Sequence, residues 1–350
     1  MGQTLCFFSL RIPQGFLREK RTMNMLCLVT GANGHLGNTL VRELLRQGHT
    51  VRAGVRDIHQ QAAFAGLACE VVYAELLDEA ALLKALDGVE VLFQVAAVFK
   101  HWAKNPEAEI VQPNVQGTRC VLQAASRAGV KRVVYVSSVA AVGHDGSALD
   151  ETHWCEESEN AYYRSKILSE RLAWQTANAL GLWMVAVLPS AMIGPNAARL
   201  TDTLDFLQAV KDRKVPLDPG FHFNFVDVRD VAKGMVLAAQ KGRAGQRYIL
   251  ANERSSSLAE LAEVLGVQAP PRAPRRLLLA IAWLQERWAR LTGQPAQLMC
   301  SQVRLFHGVR QEYNIDKAKA ELGFNPRPPQ QALREAFAYL DRRGLQPYET

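Results

Sequence analysis

The sequence predicts a doubly wound α/β fold, a parallel sheet covered on both faces, with a smaller and mostly helical C-terminal lobe. Three observations predict it. Short apolar runs alternate with helical patterns from residue 25 to residue 190. Those runs are continuously apolar, as strands buried on both faces are. A glycine-rich turn joins the first apolar run to the first helical pattern.

The elements follow in order. "MLCLVT" (25–30) reads as the first strand, "GANGHLG" as the turn, and "NTLVRELLRQG" as a helix with a glycine stop. "HTVRAGVR" (49–56) is the second strand and "CEVVYAEL" (69–76) the third, with a short helix near "AAFAGL" between them. "DEAALLKALDG" (78–88) is a helix, "VEVLFQVAA" (89–97) the fourth strand, and "PNVQGTRCVLQAASRAG" (113–129) a long helix. "VKRVVYVSS" (130–138) is the fifth strand. A helix carrying "YYRSKILSERLAWQTANAL" and the strand "LWMVAVLPS" (182–190) complete the alternation. "GFHFNFVDVRDVAKGMVLAAQ" (220–240) reads as a return to the main unit. Residues 253–342 are helical segments broken by proline at 269–274 and 325–329.

Composition bounds the function. Of 350 residues, 48% are hydrophobic and 21% charged, as in an ordinary globular protein. The net charge is +7, but the arginines are scattered and no basic block is interleaved with aromatics, so nucleic acid is set aside as a partner. Six cysteines show no metal spacing, so they read as reduced residues of a cytoplasmic protein that holds no metal. The run Leu5–Leu10 is too short to span a membrane. The pattern at 275–293, interrupted by Gln285, Glu286 and Arg287, is amphipathic. It excludes stable insertion and leaves peripheral membrane contact open.

"VTGANGHLG" sets Gly31, Gly34 and Gly37 between a strand and a helix, with Asn33, His35 and Leu36 in the same turn. Glycines there let backbone approach a pyrophosphate at a helix N-terminus. This makes residues 24–190, with a return at 225–250, a Rossmann-type dinucleotide-binding domain. Residues 191–224 and 251–342 then form the substrate lobe, and 1–23 a loosely ordered extension. The second strand ends in Arg56, with Arg52 on the same strand and Asp57 one position later. An arginine suits a 2′-phosphate, which favours NADP(H) over NAD(H). Asp57 on a ribose diol is the NAD(H) alternative.

"NAYYRSK" (160–166) offers two phenols. Tyr162 and Lys166 are an i,i+4 pair and Tyr163 and Lys166 an i,i+3 pair, so either tyrosine shares a helix face with the lysine, with a mild preference for Tyr162. A phenol near pKa ~10 needs help at neutral pH, and a nearby ammonium favours the phenolate. Ser137 and Ser138, at the C-terminal end of the fifth strand, supply donors for a reacting oxygen.

Together "TGANGHLG", "NVQGT" (114–118), "VVYVSS", "YYRSK", "LPSAMIGP" (188–195) and "FVDVRDVA" (225–232) resemble the extended short-chain dehydrogenases/reductases. Within that family the chain looks most like the dihydroflavonol reductase-like branch, which includes hopanoid-associated sugar epimerase-like proteins. The resemblance implies Tyr162, Lys166 and Ser138 as the catalytic set. It places Asn114 behind the site, Ala96 and Ala97 beside the cofactor, Pro189 and Ser190 near the nicotinamide, and Arg56 on the NADPH phosphate. Glu75, followed by Leu76, stands near the adenine where the family often has Asp. The implied activity is NADP(H)-dependent hydride transfer to or from a carbonyl or secondary alcohol of a small, partly apolar substrate. A nucleotide-sugar epimerase or dehydratase retaining NAD, and a non-catalytic NADP(H) sensor, are the alternatives. The family also implies a homodimer. Phe221, Phe223 and Phe225, with Trp283 and Trp288, are candidates to line the substrate pocket.

Overall fold

Seven parallel strands form the central sheet of the computed structural model, which describes residues 24–99, 102–156, 158–294 and 296–344. They are β1 (Leu26–Thr30), β2 (Thr50–Val55), β3 (Glu70–Tyr73), β4 (Val91–Gln94), β5 (Arg132–Val136), Met184–Pro189 and Arg247–Leu250. From one edge the order is β3, β2, β1, β4, β5, Met184–Pro189, Arg247–Leu250. The chain therefore reverses direction across the sheet between β1 and β4, which opens a crevice at their C-terminal ends. The proposed extension, residues 1–23, lies outside the described residues.

Helices cover both faces, as the continuous apolar strands require. Along one face, α1 (His35–Arg46) packs beside the return helix Val228–Lys241, over Cys27, Val29, Val134 and Val187. On the other, Glu79–Leu86, Gln112–Arg127 and Ala161–Leu180 pack over Leu28, Leu92, Val133 and Ala186. A third core joins Ile193, Leu204 and Phe225 to the final helix, Pro329–Gly344.

The return segment contributes a helix and a strand to the main unit, and its first residues pair elsewhere. Phe225–Asp227 pairs with Ala191–Ile193 in a separate two-stranded sheet, and the seventh main strand is Arg247–Leu250. The "FVDVRDVA" motif acts as a clamp. Buried Asp227 caps the return helix through the Arg229 N–H (2.8 Å), while Arg327 bonds both Asp227 (3.1 Å) and Asp230 (2.9 Å). That ties the proline-rich 325–329 segment to the start of the return helix. The third and fourth strands are shorter than their apolar runs. After Gln94 the chain leaves the sheet, and the Val95 and Ala96 N–H groups donate to Thr30 Oγ1 at 3.0 and 3.1 Å.

Candidate active site

The glycine turn sits at the strand crossover. Gly31 has a φ of +64°, and a Cβ there would stand 2.9 Å from Ala96 Cα. A Cβ on Gly37 would meet the Gly31 carbonyl oxygen at 2.2 Å. Gly34 caps α1 with extended backbone and no side chain over the free N–H groups. The turn is thus a bare backbone cradle at a helix N-terminus, shaped for an anion. Gly37→Ala should destabilise the fold by about 1–3 kcal/mol, seen as a lower urea midpoint, and should weaken dinucleotide binding.

Other residues of the turn divide by role. Asn33 is half-buried. Leu36 is buried in the core, and the His35 ring is held by the Gly194 and Pro195 carbonyls at 3.2 and 2.9 Å. Both face inward, so only their backbone is presented to the crevice. Ala96 stands against Gly31 and donates to Thr30, a residue the sequence reading missed, and Ala97 follows it. Asn114 spends its amide on Val98, accepting from its N–H (2.7 Å) and donating to its carbonyl (3.0 Å), and also reaches Ser165 (3.3 Å). It braces the crevice wall against the Tyr162 helix. Glu75 and Leu76 follow β3, and Leu76 packs on Gly117.

At the end of β2 the three candidates separate cleanly. Arg52 is committed to Glu70 (2.8 Å) and to the Ala85 and Asp87 carbonyls. Asp57 accepts from the His59 N–H (2.9 Å) and Gln60 (3.0 Å). Arg56 is exposed and carries no hydrogen bond or ion pair among the described residues. Across the crevice Pro189 ends its strand, and the Ser190 hydroxyl is buried without a partner among the described residues. A bare cradle, an uncommitted guanidinium and an orphaned buried hydroxyl fit a nicotinamide dinucleotide lying across the crevice.

The two tyrosines also separate. Asn160 caps their helix, its Oδ1 accepting from the Tyr162 and Tyr163 N–H groups at 3.1 and 3.3 Å. Tyr162 donates to Ser138 Oγ at 3.5 Å and packs edge-on against Phe99. Tyr163 is buried against Phe306 and His144. The serines separate because neighbouring residues at a strand end face opposite ways. Ser137 donates to buried Glu170 at 2.5 Å, whereas Ser138 faces Tyr162. Ser138 Oγ also accepts from the Ala140 N–H (3.1 Å). With both lone pairs engaged, its own proton is left to donate.

Lys166 is buried on the same helix, four residues after Tyr162. Burial pulls its ammonium down to about 8, and Glu170 works against that shift. The ammonium was expected to favour the phenolate. In the free protein, burial instead pushes the Tyr162 phenol up to about 12, with the Ser138 bond lowering it and Asp202 raising it. Lys166 is charged below about 8 and neutral above. Affinity for an anionic dinucleotide should therefore fall as pH rises through about 8, and Lys166→Met should flatten that dependence in a binding titration.

Phe221, Phe223 and Phe306 cluster beside Tyr162 and Tyr163. Phe225 belongs to a different core. Trp283 and Trp288 are 51% and 65% exposed, on the outer side of their helix, so they do not line this space. Sequence reasoning missed Asn160, Phe99 and Glu170. Asn160 had a legible signal, an Asn just ahead of a helical run.

Residues 27–251 match the model of the NAD-dependent epimerase/dehydratase family. An inferred dihydroflavonol 4-reductase of Synechocystis sp. is 36% identical over 90% of this chain and 94% of its own length. Sterol demethylase protein B of Methylococcus capsulatus is 36% identical over 92% of this chain and its full length. The crystal structure of gox2253 superposes with a TM-score of 0.80 at 32% identity, covering 93% of this chain and 100% of that one. The chain belongs to the NAD-dependent epimerase/dehydratase family and is an enzyme of the extended short-chain dehydrogenase/reductase kind.

Proposed function

We propose that this enzyme is an NADP(H)-dependent oxidoreductase acting on a carbonyl or secondary alcohol of a small, partly apolar substrate. The observation that carries the reading is the Tyr162 phenol bonded to Ser138, with Lys166 buried on the same helix. When bound, the nicotinamide supplies or accepts the hydride. In reduction, Ser138 donates a hydrogen bond to the carbonyl oxygen and polarises it. Tyr162 gives its proton to that oxygen as the carbinol forms, and its phenolate recovers a proton from solvent. Lys166 would hold the ribose hydroxyls of the bound cofactor, and its ammonium stabilises the transient phenolate. In the oxidative direction each step reverses.

Arg56 supports NADP(H): it directly follows β2 and is the cation there without a partner among the described residues, while Asp57 is turned to its own loop. The phenylalanine cluster beside Tyr162 supports an apolar substrate group. So do the names of two relatives, which refer to a dihydroflavonol and a sterol. The test is a panel of aryl and alicyclic ketones and aldehydes offered with NADPH deuterated at C4. Deuterium on the product carbinol carbon is the expected result. Epimerisation of a nucleotide sugar with no net NADPH oxidation would replace this reading.

A further inference from the structure

The helix Arg275–Thr292 covers the Tyr162 side of the molecule with one face and leaves the other bare. Leu278, Leu279 and Ala282 face inward and join Phe221, Phe306 and Tyr163. Two of its polar side chains also turn in. Gln285 accepts from the Leu298 N–H (2.9 Å) and Glu286 from the Cys300 N–H (2.8 Å). The outer face is apolar. Successive helical residues turn by ~100°, so Leu277, Leu284, Trp288 and Leu291 share one stripe ~60° wide. Their exposures are 44%, 60%, 65% and 84%. Along one border of that stripe run Arg276, Arg287 and Arg290, all exposed, with Arg287 over the Trp283 ring at 5.3 Å. Glu286 is the helix's one acid, and it is bonded inward.

We infer that this face docks on the surface of an anionic lipid bilayer. Leucine and tryptophan beside a row of arginines is the composition of a helix lying in the headgroup region, its apolar stripe sunk into the acyl boundary. The charge selects the occupant. Three arginines on the border call for a negative partner, and a second copy offers no acid on this face to meet them. No helix among the described residues is long and apolar enough to cross a membrane, so the contact is peripheral.

Flotation of the full-length protein with two kinds of vesicle tests this. The protein should float with phosphatidylcholine vesicles containing phosphatidylglycerol and not with phosphatidylcholine alone. Arg287→Gln with Arg290→Gln should weaken binding about 30-fold, roughly five-fold per arginine. Trp288→Ser with Leu291→Ser should abolish it. All four side chains are exposed, so the thermal transition should be unchanged. Failure to float with the anionic vesicles, or floating unchanged by both pairs of substitutions, overturns the inference. So does self-association in solution that the Trp288→Ser, Leu291→Ser variant abolishes, which would make a second copy the occupant.

Discussion

Tyr162→Phe should lower turnover by about 10²–10⁴-fold, the span of a positioned proton donor, and leave dinucleotide affinity intact. The substitution removes one hydroxyl and keeps the ring that packs against Phe99. Stability should therefore hold, and steady-state rates alongside a binding titration read the effect directly. Tyr163→Phe is the control. Its phenol is buried among Phe306 and His144, so it should leave turnover near wild type. The pH dependence sharpens the contrast. Reduction needs the protonated phenol, which is present below about 12 and lost only above it. The phenol therefore sets no limit near neutral pH. A fall in cofactor affinity through about 8 belongs to Lys166. Full turnover in Tyr162→Phe would remove this residue from the chemistry.

Breaking the ion pair behind the site should have the largest effect on stability. Glu170 is fully buried and Arg247 nearly so, with Nε and Oε1 2.7 Å apart. Glu170 also accepts from Ser137 (2.5 Å) and Trp174 (3.2 Å). Arg247 donates to the Glu151 and His153 carbonyls and lies 3.8 Å over the Trp154 ring. Glu170→Ala leaves that guanidinium buried without its counter-charge, at a cost of about 3–5 kcal/mol. Replacing both, as Glu170→Leu with Arg247→Met, should recover part of the loss. Urea midpoints at unchanged slope would measure both. Because Ser137 precedes Ser138, and Glu170 lies one helical turn past Lys166, the single variant should also lower turnover.

The same pair shows where sequence reading stops. Arg247–Leu250 begins with a charge, which hides a buried strand unless its partner 77 positions earlier is known. The fourth strand is shorter than its apolar run for a related reason. Periodicity marks apolar runs, whereas the Thr30 hydroxyl that draws Val95 and Ala96 out of the sheet acts across 65 residues. Local signals fared better. The glycine turn, the strand–helix alternation and the Tyr–Lys spacing lie within short windows, and the fold follows from them. Spacing alone gives only a mild preference for Tyr162 over Tyr163, too little to choose between them. The choice needed the resemblance, and in the structure the contacts of the two phenols differ. Trp283 and Trp288 are only candidates for the pocket at the level of sequence, because periodicity marks an apolar face without saying which side the protein covers.

Titration of the purified protein with NADPH and NADH, after assay for nucleotide carried through purification, tests the central claim most directly. The protein should emerge empty and bind NADPH more tightly. Arg56→Ala should cost about ten- to a hundred-fold in NADPH affinity, the worth of a charge-assisted bond, with NADH affinity unchanged. Copurified NAD, or NADH preferred by a protein indifferent to Arg56→Ala, would contradict a dissociable NADP(H) cosubstrate and turn the search to epimerisation.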